Sequence, residues 1–161
     1  MVTRLAVLFA LFLVVGAARA DFRGRVIAVV DGDTLDVLVD RRPQRVRLAQ
    51  IDAPESTQAF GPRARQTLDM LVYRKDVAVV ETGRDHYGRT LGTVYIGKMN
   101  VNTEMVKQGM AWVYRRYVTD LSLLRIEGEA KRDRRGLWAD PSPVPPWEFR
   151  HAGAHPQTAP H

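Results

Sequence analysis

Apolar residues recur along this chain with two different periods. Between Phe22 and Ile51 they alternate with polar residues or form short β-branched runs, at Phe22 to Val30, Thr34 to Val39 and Arg45 to Ile51. A period of two sends successive side chains to opposite faces of a strand, so three strands are predicted, separated by Asp-Gly and Arg-Pro turn signals. On the third, Arg47, Ala49 and Ile51 are expected to share a face. From Gly61 the period lengthens. Ala64, Leu68, Leu71 and Val72 recur at spacings of three and four with Pro62 in the first turn, which predicts a helix from Gly61 to Tyr73. Val77 to Glu81 and Arg89 to Ile96 return to the strand pattern. Beyond Gly97, Asn102 or Thr103 is placed to cap a short helix through Met105 and Val106, ended by Gly109. Met110 to Tyr114 reads as a short extended piece. A last helix, Asp120 to Arg135, carries Leu121, Leu124 and Ala130 on one side, with Gly128 costing about 1 kcal/mol relative to alanine.

Five strands with a helix between the third and fourth is the element order of an OB-fold barrel. The expected fold is therefore α+β, a five-stranded OB barrel with about three α-helices.

The two ends read differently from this body. Residues 1–20 begin with a basic tetrapeptide, run apolar from Leu5 to Val15 and close on Ala18-Arg19-Ala20, a small-x-small cleavage pattern. That apolar stretch is well short of the roughly 20 residues a spanning helix needs, so a cleaved signal peptide is expected. The product is then an exported protein, periplasmic or secreted, monomeric and without a membrane segment. The chain has no cysteine, so its stability rests on its core. Six of the nine prolines lie from Pro141 onward, which predicts an irregular tail over 141–161. Trp138 and Trp147 are expected to pin its start to a domain spanning 21–140, leaving about His151 to His161 loose.

The formal charge is +6, and losing Arg4 and Arg19 with the signal leaves +4. A basic exported domain favours polyanions, nucleic acid or an anionic surface, although solubility alone accounts for such a charge equally well.

Candidate chemistry gathers at three strand ends. Arg47 to Glu55 starts with a cation in an apolar run and ends with Asp52 and Glu55 around Pro54, where the strand must break. Val29 to Leu35 holds Asp31-Gly32-Asp33. A hairpin explains the Asp-Gly pair, but a second carboxylate just inside the next strand is costly unless paired or metal-bound. Asp85-His86-Tyr87-Gly88-Arg89 again sets an arginine at the start of a strand.

Together these segments, VVDGDTL at 29–35, VRLAQIDAPE at 46–55 and DHYGRTLG at 85–92, resemble the staphylococcal nuclease (thermonuclease) family. GMAWVY at 109–114 and RRGLWAD at 134–140 extend the resemblance over Arg25 to Asp140. It implies a Ca2+-dependent OB-fold nuclease that hydrolyses phosphodiester bonds of DNA and RNA endonucleolytically, leaving 3′-phosphate ends. Position by position, it implies Asp33, Asp52 and the Ala53 carbonyl as calcium ligands. Arg47 and Arg89 would grip the scissile phosphate, and Glu55 would be the base for the attacking water.

The residue chemistry agrees. Calcium takes six to eight hard oxygen ligands, whereas a zinc site has no cysteine here and one body histidine, His86, to draw on. Guanidinium forks match phosphate oxygens. Asp31 is either an acid that orients the metal site or a turn residue. Thr34 either bonds a metal-bound water or simply packs. Tyr87 and Tyr114 are substrate-binding candidates or rim residues, while Trp112, Trp138 and Trp147 are expected to pack. The loop behind Glu55, Ser56 to Phe60, is short and contains no lysine, which removes possible phosphate contacts. The alternative reading is a catalytically inactive OB-fold module that holds nucleic acid.

Overall fold

The three predicted N-terminal strands form, and their ends set the geometry of everything that follows. The structure is a computed structural model and describes residues 20–154; the segment read as a signal peptide lies outside the described residues except for Ala20. In chain order, β1 spans Phe22–Asp31, β2 Thr34–Val39, β3 Arg42–Leu48 and the two-residue β4 Ile51–Asp52. Helix α1 (Gly61–Val72) comes next, then β5 (Asp76–Arg84), β6 (Thr90–Ile96) and a short β7 (Met99–Asn100). Helix α2 (Val101–Lys107), strand β8 (Trp112–Val113) and helix α3 (Ser122–Arg132) follow. A 3-10 turn at Gly136–Ala139 and helix α4 (Pro146–Ala154) complete the described chain.

The sheet runs β3-β2-β1-β5-β6 with antiparallel neighbours, and β6 returns to pair with β3 in parallel. That last pairing, Val46 with Thr90 and Arg47 with Leu91, closes a five-stranded barrel. Inside it the alternating positions Leu35, Val37, Val46, Leu48, Val79 and Val94 are fully buried. Each contributes about 1.5–3 kcal/mol relative to exposure. Ala64, Leu68 and Val72 of α1 and Val101, Met105 and Val106 of α2 extend the same core. The α+β OB barrel expected from the element order is the fold observed.

Several local expectations are corrected. The β2–β3 turn falls on Asp40-Arg41, both at positive φ as a tight hairpin requires, and Pro43 lies within β3 opposite Leu38. The third strand does not run on to Ile51. It ends at Leu48, and Gln50 adopts φ 67°, so β4 turns away to pair with β8 and Arg47, Ala49 and Ile51 share no strand face. Asn102 is not a cap: Asn100 is, accepting from the Thr103 N–H at 3.1 Å. Asn102 is instead buried, its Nδ2 donating to the carbonyls of Ala49 and Gly92 and its Oδ1 accepting from the Val94 N–H. It thereby ties the chain just after β3 to β6. In α3 the inward residues are Leu123, Glu127 and Ala130, while Leu121 is exposed. Gln50 Oε1 accepts from the N–H groups of Thr119 and Asp120, which delays the helix start. Finally, the described residues contain four α-helices where about three were expected, because part of the proline-rich tail is the helix α4. Pro146 stands at its first position, where a missing N–H costs nothing.

Candidate active site

Barrel closure brings the three charged strand ends into one cleft of about 820 Å³. All eight residues singled out in the sequence line it: Asp33, Arg47, Asp52, Ala53, Glu55, Tyr87, Arg89 and Tyr114. Each is placed by an identifiable feature. The register of β2 on β3 sets Thr34 opposite Arg47, so Asp33 in the β1–β2 turn meets the arginine side chain. Arg47 Nη2 donates to Asp33 Oδ2 at 3.1 Å and to Asp52 Oδ1 at 2.6 Å. Asp33 Oδ2 also accepts from the Ala53 N–H at 3.1 Å, and Asp33 Oδ1 from the Thr34 hydroxyl at 2.9 Å. Thr34 therefore serves Asp33 directly.

Gly32 is what allows this approach. Its φ is not in the left-handed region, so turn conformation alone does not require glycine there. A Cβ at Gly32 would lie 2.8 Å from the Cβ atoms of both Ala53 and Ala64. The turn is thus pressed onto the Asp52–Glu55 segment and α1. Gly32→Ala is expected to cost about 1–3 kcal/mol through overpacking. Thermal unfolding checks this, and an unchanged unfolding temperature would refute it.

Glu55 sits on a loop held by its backbone. Its N–H donates to Gln58 Oε1, its carbonyl accepts from the Gln58 N–H, and a Cβ on Gly61 would approach that carbonyl to 1.9 Å. The Glu55 carboxylate is left to face the cleft. Arg89 is steered by Asp85, whose Oδ2 accepts from Nε at 2.6 Å and whose Oδ1 accepts from the N–H groups of Tyr87 and Arg89. Gly88, at φ 79°, makes this tight loop possible. Burial opposes ionisation of Asp85, but the hydrogen bonds and charge of Arg89 outweigh it and hold the carboxyl below its usual range. Tyr87 is 74% exposed, with the Arg89 guanidinium 5.3 Å from its ring centre.

Tyr114 follows β8, and its N–H donates to the Gln50 carbonyl at 2.8 Å. Behind it the buried Glu127 accepts from the Val113 N–H, Arg115 and Lys131, which fixes β8 from the α3 side. Among the tryptophans expected to pack, Trp112 and Trp138 do so against each other at 4.3 Å. Trp147 lies at the cleft, parallel to the Tyr114 ring.

Asp31, for which a metal-orienting acid and a turn residue were both open, lines the cleft beside Asp33 and Glu55. Burial is the main cause raising its carboxyl above the usual range; the Gly32 N–H opposes this, and the charges of Asp33 and Glu55 add to it. Arg150 of α4 reaches in from the tail. Its Nη2 donates to Asp52 Oδ2 at 2.7 Å, and its Nη1 to Glu55 Oε1 at 2.5 Å and Asp52 Oδ1 at 3.3 Å. An arginine in a proline-rich tail has no periodic or motif signal, so sequence reasoning had nothing to find it by. Burial raises the pKa of Asp52, and its contacts with Arg150 and Arg47 pull it back.

Among the described residues, no three His, Cys, Asp or Glu side chains gather closely enough to hold a metal ion by themselves. The donor set nonetheless suits a hard cation: Asp33 and Asp52 supply carboxylate oxygens, and guanidinium cations already sit against both.

An OB barrel that gathers acids and arginines in one cleft presents guanidinium groups of the kind that bind phosphate oxygens. Residues 45–140 match the family model described as staphylococcal nuclease homologue. The chain is 52% identical over 159 residues to a micrococcal nuclease of Shigella flexneri, covering 91% of each. It is 50% identical over 158 residues to Protein ParB of Escherichia coli, covering 91% of this chain and 89% of that protein. An uncharacterized endonuclease of Escherichia coli O157:H7 is 49% identical over 133 residues, 82% of this chain and 87% of the relative. The chain belongs to the staphylococcal nuclease family, and as an enzyme it is a hydrolase of the nuclease class.

Proposed function

We propose that the protein is an exported, monomeric, calcium-dependent endonuclease acting on DNA and RNA and leaving 3′-phosphate ends. The observation that carries this reading is the meeting of Asp33, Arg47, Asp52, Glu55 and Arg89 in one cleft. Asp33, Asp52 and the Ala53 carbonyl would hold the calcium ion, with waters and a phosphate oxygen completing its six to eight ligands. Bound there, calcium supplies positive charge against the phosphate oxygens. Arg47 and Arg89 bind the phosphate and stabilise the charge that develops on it as water attacks. Asp85 keeps the Arg89 fork oriented. Glu55 accepts the proton of the attacking water as the phosphorus–O5′ bond breaks, and the departing 5′-oxygen takes a proton from solvent. Tyr87 and Tyr114 contact the nucleotide on either side. Export is supported by the basic-apolar start of the chain, and no described helix is long and apolar enough to cross a membrane.

The mature chain should degrade plasmid and heat-denatured DNA in calcium, and cleavage should cease in excess chelator. A folded chain that leaves both substrates intact in calcium would refute the proposal.

A further inference from the structure

The tail segment from Val144 to Arg150 touches the site at three points. Gln58 Nε2, on the loop behind Glu55, donates to the Val144 carbonyl at 2.5 Å. The Trp147 ring stacks on Tyr114, 4° from parallel with centroids 5.5 Å apart, and meets Trp112 edge-on. Arg150 then bridges Asp52 and Glu55.

These contacts use the groups that the nuclease reading needs for other partners. Asp52 is 1% exposed, and of its two oxygens Oδ1 accepts from Arg47 and Arg150 while Oδ2 accepts from Arg150. A cation ligated by Oδ2 must therefore take that oxygen from Arg150. Charge explains why the arrangement is stable without one. Asp33, Asp52 and Glu55 line one cleft, Arg47 serves the first two, and a buried carboxylate without a counter-charge costs several kcal/mol. Trp147 likewise covers the Tyr114 face on which a base would stack.

Resting on the nuclease reading, we propose that α4 is a C-terminal latch: Arg150 acts as an internal cation at the calcium site and Trp147 as an internal base on Tyr114. Calcium and nucleic acid enter by displacing the latch. Asp52 and Glu55 pass from the guanidinium to calcium and water, and Tyr114 passes from indole to nucleobase. Because the binding-competent state is only a fraction of the population, apparent affinities are reduced by that fraction.

The test is calorimetric titration of the full chain with calcium alone, without nucleic acid, beside Arg150→Gln and Arg150→Lys. Arg150→Gln should bind calcium about 10- to 100-fold more tightly, as expected if the latch is open about 1–10% of the time. Arg150→Lys, which keeps the charge, should stay closer to the natural chain. Tryptophan fluorescence should change on calcium addition in the natural chain, and Trp147→Phe should lose most of that change. In chelator, Trp147→Ala should bind a short oligothymidylate more tightly than the natural chain.

Equal calcium affinity in the natural chain and Arg150→Gln would overturn the latch while leaving the nuclease reading intact. Unchanged calcium affinity with lost cleavage would make Arg150 a substrate contact and also overturn it. No calcium bound by any of the chains, together with no cleavage, would overturn both proposals.

Discussion

Arg47→Ala is expected to lower kcat/KM on single-stranded DNA by about 10³- to 10⁵-fold at saturating calcium, the range one arginine supplies in other phosphoryl transfers. Arg89→Ala should fall in the same range. Both guanidinium groups line the cleft, but they are supported differently. Among the described residues Arg89 has one ion-pair partner, Asp85, so Arg89→Lys should recover little: an ammonium cannot keep one fork nitrogen on Asp85 and present others to the phosphate. Asp85→Asn should give a smaller loss than Arg89→Ala, because the arginine stays but swings. Arg47 has a second duty, since it neutralises Asp33 and Asp52. Its removal should destabilise the calcium-free chain by about the 3–5 kcal/mol seen when a buried pair loses a partner, because Asp33 is left without a guanidinium even though Arg150 still pairs with Asp52. Calcium should restore most of that stability by supplying the missing charge. The two effects separate in experiment, one read from single-turnover cleavage and the other from thermal unfolding with and without calcium. A variant of Arg47 that cleaves at the natural rate would remove it from the phosphate-binding role.

How much of this was legible in the sequence depends on whether the signal was local. The barrel strands were, because β-branched alternation is a local pattern and Asp-Gly marks a turn. The eight candidate site residues were too, because each lies in a short motif at a strand end. What they share in space depends on the parallel β3–β6 closure, which no periodicity encodes. The early end of β3 was hidden for a related reason. Nothing in Leu48-Ala49-Gln50-Ile51 breaks a strand locally; Gln50 takes its left-handed conformation while its carbonyl and side chain hold Tyr114, Thr119 and Asp120. One buried polar residue was misjudged: Asn102 resembles a cap in sequence until its bonds to Ala49, Gly92 and Val94 are seen. The tail was read from proline content, which argued correctly against structure around Ser142 to Pro145 but not against a helix with proline at its first position. Arg150 is the furthest from legible, since its partners lie 98 and 95 residues away.

Glu55→Gln is expected to reduce the rate of the chemical step by about 10²- to 10⁴-fold, the usual worth of a positioned base. The structure decides what such a loss would mean. A glutamate at the start of a tight loop can act by shaping the loop, and then its substitution reports folding instead of chemistry. Here the loop is held by the Glu55 N–H and carbonyl, through Gln58 and the close approach of Gly61, and among the described residues the Glu55 side chain pairs with Arg150 alone. Glutamine keeps those backbone bonds and the shape of the side chain, so the loop should persist. It also keeps Asp52 and Asp33 intact, so calcium affinity should move by a few-fold at most. The small shift expected is toward tighter binding, because Arg150 loses one of its two charged anchors. A large fall in single-turnover rate at unchanged unfolding temperature therefore assigns Glu55 to the proton of the attacking water. A full rate would leave that proton to solvent and reduce Glu55 to an anchor for Arg150.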